Sequence, residues 1–249
     1  MEGIQSLLQS FSPVALHETG ASLTVQRFDT KFLLNIKCLP ALLQGLQPYF
    51  SVLEINGQRV HDYETLYFDT PDFKLYYDHH NDKPNRMKVR VRKYGSSGEV
   101  FFEIKHKLKG MRTGKLRLPQ QKMMFEIGEE EWNLIRQAGK AIRGLERKLS
   151  TDFSRISLAG NNLDERITFD TSLLFHNATG QINFGNVMVM EVKHLHAKPS
   201  EAVRALVHQL HLVQHPFSKY AIGVALLESS VKHNLFKPTI LQLKKIENG

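Results

Sequence analysis

Asn85-Arg86-Met87-Lys88-Val89-Arg90-Val91-Arg92-Lys93-Tyr94 is the stretch on which the reading of this chain turns. Successive side chains of a β-strand point to opposite faces. A strand here places Arg86, Lys88, Arg90 and Arg92 on one face and Met87, Val89 and Val91 on the other. Strict alternation and β-branched residues favour strand over helix. The apolar face must pack on a core. The cationic face then looks into bulk water or into a polar cavity, and that alternative governs the function.

The same pattern recurs on both sides. Leu23 to Leu34 reads as a strand with Val25, Arg27, Asp29 and Lys31 on one face and Phe28 and Phe32 on the other. Tyr63 to Asp72 is a strand running into a turn, and Gly95 to Gly98 is a hairpin turn. Its partner, Glu99 to Lys107, sets Phe101, Glu103, Lys105 and Lys107 against Phe102 and Ile104. Lys115 and Arg117 share a face of the next strand. Ser150 to Leu158 puts Arg155 on the face of Phe153; Arg166, Thr168 and Asp170 oppose Ile167 and Phe169. Val187, Val189, Glu191 and Lys193 oppose Met188, Met190 and Val192. Helical spacing marks the segment from Ile4 to Pro13, then Ala41 to Tyr49, Glu129 to Ala138, a second stretch reaching Leu149, and Ser200 to Leu212. Lys219 to Ser229 follows Ser218, a natural N-cap. The last twenty residues are basic and weakly patterned. These elements predict an α+β fold of about eight mostly antiparallel strands with flanking helices. No linker divides the chain, so residues 1–249 are expected to form a single domain.

Composition narrows the partners. The net charge of +8 raises the prior for an anion, whether nucleic acid, headgroups, nucleotide or polyphosphate. No apolar run is long enough to span a bilayer, and the start lacks the pattern of a leader. The one cysteine, Cys38, forbids an intrachain disulfide and fits a reducing compartment, so a cytoplasmic location is expected.

Placement of the charge says more than its sum. Half-exposed sheet faces mix polar residues, and like charges set opposite one another are destabilising. Here one strand face carries four cations and no acid, beside Lys105 and Lys107 with only Glu103 to offset them. If the strands curl round on themselves, these faces line the interior. Unpaired cations in a dry interior each cost several kcal/mol, so the cavity must be wet and matched to an anion. Arginine forks hold phosphate oxygens bidentately. A carboxylate such as Glu191 among them suits a bridging divalent metal. The pattern points to a metal-assisted triphosphate or polyphosphate site.

At this point the ordered motifs resemble a known family. They are Arg27-Phe-Asp-Thr-Lys31, Tyr67-Phe-Asp-Thr-Pro-Asp72, Arg86-Met-Lys-Val-Arg90-Val-Arg92-Lys-Tyr94, Phe102-Glu-Ile-Lys105, Lys115-Leu-Arg117, Arg166-Ile-Thr-Phe-Asp170, Glu191-Val-Lys193 and Phe217-Ser-Lys-Tyr220. Spread over about residues 23–228, they resemble the catalytic domain of the VTC polyphosphate polymerases, within the triphosphate tunnel metalloenzymes. The resemblance implies a closed antiparallel β-barrel forming a tunnel. It implies catalytic roles for Lys31, Arg90, Arg92, Lys105 and Lys219. Phosphate contacts are expected from Arg27, Arg86, Lys88, Lys115, Arg117, Arg155, Arg166, Lys193 and Ser218, and metal contacts (Mn²⁺ or Mg²⁺) from Glu191 and Glu103. Asp29 stands where relatives often carry glutamate.

The expected partners are ATP and polyphosphate or triphosphate. Three activities share such a site: transfer of the ATP γ-phosphate to a growing polyphosphate, hydrolysis of a triphosphate, and binding without turnover. Nucleic-acid binding needs its cations on an outer surface, and the inward-facing strands argue against it. Asp69 and Asp72 are expected to shape a turn. His194, His196, His208 and His211 lack the carboxylate pattern of a metal site, and Cys38 lacks the context of a nucleophile.

Overall fold

The computed structural model describes residues 2–19, 28–107, 113–139, 142–162 and 164–249. Its strands are β1 (Pro13–Val14), β2 (Phe28–Asn35), β3 (Phe50–Leu53), β4 (His61–Asp69), β5 (Met87–Tyr94), β6 (Val100–Lys107), β7 (Thr113–Gln120), β8 (Glu146–Gly160), β9 (Glu165–His176), β10 (Gln181–Phe184) and β11 (Val187–His194). The helices are α1 (Glu2–Gln9), α2 (Leu39–Leu46), α3 (Lys74–His80), α4 (Glu129–Gln137), α5 (Glu201–Gln209), α6 (Lys219–Leu227) and α7 (Lys237–Asn248). Eight strands run in the order β2-β11-β9-β8-β4-β5-β6-β7, with β1, β3 and β10 added at the side. Every pairing along that path is antiparallel.

Strand alternation sorts the side chains as the sequence predicts. Met87, Val89 and Val91 pack with Phe102 and Ile104 under α4. On the other half of the sheet Phe32, Leu34, Ile167, Phe169, Met188, Met190 and Val192 pack under α1, α2 and α5. These convex-face cores leave the charged residues on the concave face. α6 lies on that concave face too. Its buried Tyr220, Ala221, Ile222 and Val224 cluster with Leu33, Tyr67, Leu149, Phe153, Phe175 and Val189. Leu33, Phe153 and Val189 are in phase with Lys31, Arg155 and Glu191. Because α6 is apolar almost all round, it has no face for water. Gly223 permits the approach: a Cβ there would meet Leu149 at 2.5 Å and Phe175 at 2.7 Å.

Several expectations change. No ladder joins β2 to β7 among the described residues, so the closed barrel is replaced by an open path whose edges face each other by curling. The helical stretch reaching Leu149 is instead the start of β8, since Glu146 to Leu149 pair along β4 and Leu149 packs under α6. The segment after Asp72 forms α3, and the weakly patterned C-terminus forms α7. There Leu243 is buried and Glu247 accepts from the Gly185 and Asn186 amides. The expected strand residues 23–27, Arg27 included, lie outside the described residues.

Asp69 shapes its turn as expected and does more. Its Oδ1 accepts from the Thr70 and Leu75 amides, each at 2.7 Å, and its Oδ2 from the Tyr76 amide at 2.8 Å and from the Tyr220 hydroxyl. One fully buried carboxylate thus caps α3 and ties it to α6. Replacing Asp69 with alanine orphans four donors at once, so we expect a loss of about 3 kcal/mol in urea unfolding. An unchanged unfolding midpoint would refute this cap.

Candidate functional site

The concave face carries three carboxylates, each gripped by two or more cations. Glu103 on β6 is 1% exposed. It accepts from Arg90 Nη2 at 2.6 Å, Lys115 Nζ at 2.7 Å, Arg117 Nη2 at 3.0 Å and the Tyr94 hydroxyl at 3.1 Å. Register explains this: Arg90, Glu103 and Arg117 are directly opposite across β5, β6 and β7. Asp170 on β9, 3% exposed, accepts from Arg155 Nη2 at 2.7 Å and from Lys219 at the start of α6. Glu191 on β11 pairs with Lys31 of β2, its ladder partner, and lies 3.3 Å from Lys193.

Beneath the cations lies an aromatic floor. Tyr63 and Phe153 stack at 5.0 Å. Arg92 and Arg155 sit over both rings at 5.1–5.6 Å, and Lys219 over Phe153 at 4.1 Å. Cation–π contact holds such side chains without neutralising them. Phe153 therefore belongs to the cavity wall, which is why Arg155 shares its face.

On this wall Lys88, Arg92 and Lys105 have no carboxylate within ion-pair distance among the described residues. Arg92 bonds only the Thr65 hydroxyl, at 3.0 Å. Water reaches Lys105 although protein surrounds it, as on a wet concave wall. Burial and then the charges of Lys105, Lys31, Arg90 and Arg86 push Lys88 well below the usual lysine range. Burial also lowers Lys105, against the pull of Asp29 and Glu191. These influences cross from β2 and β11 to β5 and β6, strands far apart in the sheet order. The curl therefore brings the two ends of the sheet face to face around one cavity.

Burial brings Lys193 and Lys219 down to about 8 despite Glu191 and Asp170, and Lys115 to about 8 despite Glu103. Burial lowers Arg90 and Arg155, but Glu103 and Asp170 more than reverse it. Burial raises Glu103, Asp170 and Glu191, and the surrounding cations pull all three well below the carboxylate range. A bound anion raises the lysines again, so charge-dependent affinity is complete below pH 8 and fades as pH rises through it. We expect tripolyphosphate affinity to drop by up to about tenfold per pH unit per deprotonated lysine above pH 8. Calorimetry at fixed ionic strength reads this, and a flat profile from pH 7 to 9.5 would contradict it.

Of the residues singled out in the sequence, Lys31, Lys88, Arg90, Arg92, Glu103, Lys105, Lys115, Arg117, Arg155, Glu191, Lys193 and Lys219 converge through these contacts. Arg166 stands opposite Lys193 and donates to the Thr19 carbonyl at 2.7 Å. Ser218 caps α6 by accepting from the Ala221 amide at 3.4 Å. Arg86 turns to Asp82 in the loop before β5. The organising part of Asp170, and the floor of Tyr63 and Phe153, escaped the sequence reading. Aromatics in phase with arginines are the signal that could have marked the floor.

No group of three or more His, Cys, Asp or Glu side chains capable of holding a metal occurs among the described residues. Glu191 and Asp29 stand diagonally across the β2–β11 ladder, each directly opposite a lysine. Mg²⁺ and Mn²⁺ take one or two carboxylates and complete their shell with phosphate oxygens and water. The donor set fits a cation that arrives with its phosphate. Glu103, enclosed by three cations, has no side open for one.

Among curated proteins no match is found. An adenylate cyclase candidate from Bacillus halodurans is 14% identical, with a TM-score of 0.50 over 76% of this chain and 92% of its own. A candidate adenylyl cyclase from Hippeastrum with a dominant triphosphatase activity is 14% identical, with a TM-score of 0.49 over 84% of this chain and 100% of its own. Likeness at that identity concerns the fold alone. The VTC domain profile matches residues 26–228, from the strand of Lys31 through the whole of α6. By that span, and by the cation-lined wall it encloses, the chain belongs to the VTC domain family.

Proposed function

We propose that this protein transfers the γ-phosphate of ATP onto a growing polyphosphate chain, with the curled sheet serving as the tunnel that holds both. The observation that carries the reading is the trio Lys88, Arg92 and Lys105, cations gathered on one wall without a carboxylate to balance them. Such a wall favours a dense anion. Phosphoryl transfer asks little covalent help of a protein and depends on positioning and charge neutralisation. Arg90, Arg92, Lys31, Lys105 and Lys219 sit on rigid elements suited to both. Lys88, Lys115, Arg117, Arg155, Arg166 and Lys193 extend the grip along the chain, with Ser218 and Lys219 at the α6 N-terminus, where free amides favour phosphate. Glu103 and Asp170 position the cations around them. Glu191 would hold Mg²⁺ or Mn²⁺, which when bound draws charge off the phosphate oxygens.

A second reading is hydrolysis of a triphosphate with water as acceptor. The filling of one end of the concave face by α6 favours it, since a one-ended cavity suits a short substrate. Incubation of purified protein with ATP and Mn²⁺ or Mg²⁺ separates the two. ADP with long-chain polyphosphate supports transfer, and ADP with orthophosphate supports hydrolysis. Intact ATP would overturn both and leave a binder.

A further inference from the structure

α3 runs from the Asp69 cap to the loop that feeds β5. Leu75 packs with Val89 and Ile104, whereas Tyr76 packs with Tyr220. The helix therefore sits where the convex core and the α6 cluster meet, beside the first residues of β5. His79 lies one turn beyond both Leu75 and Tyr76, and so at the seam between the two clusters. Its Nε2 is buried and has no hydrogen-bond partner among the described residues. A buried polar atom without a partner is costly and calls for an explanation.

The groups around His79 explain what is missing. The charges of Lys88, Arg86 and Lys105, on β5, its approach and β6, act on its ring. Arg86 is paired with Asp82, but Lys88 and Lys105 have no carboxylate. The acids nearby are taken. On α3 itself Asp78 is held by Lys74 and Lys83. His80 bonds Asn81 and the Leu235 amide. From β4, Asp69 is occupied by amides and by Tyr220 of α6, and Lys219 of α6 is committed to Asp170. Burial, and then the three cations, hold the imidazole neutral with its pKa down at about 2. An anion lodged there reverses both conditions: it accepts from Nε2 and turns the local potential negative.

We propose that His79 is a phosphate-binding residue of this wall, donating from Nε2 to a phosphoryl oxygen held between Lys88 and Lys105, and that binding draws a proton from solvent onto its ring. The inference rests on the reading of the wall as a polyphosphate site and adds a proton-coupled subsite at the α3 end.

The test uses inorganic tripolyphosphate with EDTA. In the free protein the His79 Cε1–H resonance should not titrate between pH 4 and 9; with tripolyphosphate it should titrate above pH 6. Calorimetry at pH 6.5 in two buffers of different ionisation enthalpy should show about one proton fewer taken up by His79→Gln, with roughly tenfold weaker binding. The resonance is identified by its loss in H79Q, or by through-bond assignment in labelled wild type if that variant does not fold. A resonance unmoved while tripolyphosphate binds overturns the inference and leaves the proposed function standing. Failure of the wild type to bind tripolyphosphate removes both.

Discussion

Glu191→Gln is expected to abolish metal-dependent turnover while metal-free tripolyphosphate binds more tightly. Glu191 does two things at once. It neutralises Lys31 of β2 and Lys193 of its own strand, and on the proposed reading it is the carboxylate that meets a cation carried by the phosphates. Glutamine keeps the shape and removes the charge. Both ammonium groups then face the cavity unbalanced, and near a surface one charge at this range changes affinity by about tenfold. Loss of the electrostatic group on the reacting phosphates lowers turnover by about 10²-fold or more. The opposite signs are diagnostic, because a merely misfolded variant loses both. Phosphate release with Mn²⁺, and calorimetry with EDTA, measure the two arms. Wild-type turnover in E191Q would remove Glu191 from the metal role, and weaker metal-free binding would refute its part as a competitor for the lysines.

Asp170→Ala carries the second large effect, on stability. The carboxylate is buried between Arg155 and Lys219 and joins β9 to α6. Removing it leaves two buried cations over the Tyr63–Phe153 stack with no counter-charge, a change that costs about 3–5 kcal/mol. For a chain of this size that corresponds to a fall in Tm of about 6–20 °C. Tripolyphosphate supplies the missing charge, so its stabilising shift should be larger in D170A than in wild type. Equal ligand-induced shifts in the two proteins would mean that Asp170 does not share its cations with the substrate. Such a result would also move Lys219 out of the proposed site.

The two variants bear on why the site is legible only in part from residues in a row. Arg90 and Arg92 were placed correctly by alternation because a strand leaves two faces and the valines claim one. Lys31, Lys105, Glu191 and Lys219 were linked by ordered motifs; on the folded sheet Lys31 pairs with Glu191 and Lys219 with Asp170. What alternation could not supply was pairing. Glu103 reads as a possible metal ligand until β5 and β7 set Arg90, Lys115 and Arg117 around it. Phe153 reads as core until α6 and three cations are seen on the same face. α3 and α7 were missed because their segments are short or lack a clean apolar stripe. Their stability comes from Asp69 and Glu247, which reach them from outside or across to the sheet.

Residues in order thus determined most of the long strands, the charged side of each and the family, since a period of two is a local property of the backbone. Only the folded sheet decided which cations are neutralised and which are not. That depends on register and curl, which bring β2 and β11 to face β5 and β6 across the cavity. Coulombic balance depends on distance in space and not along the chain.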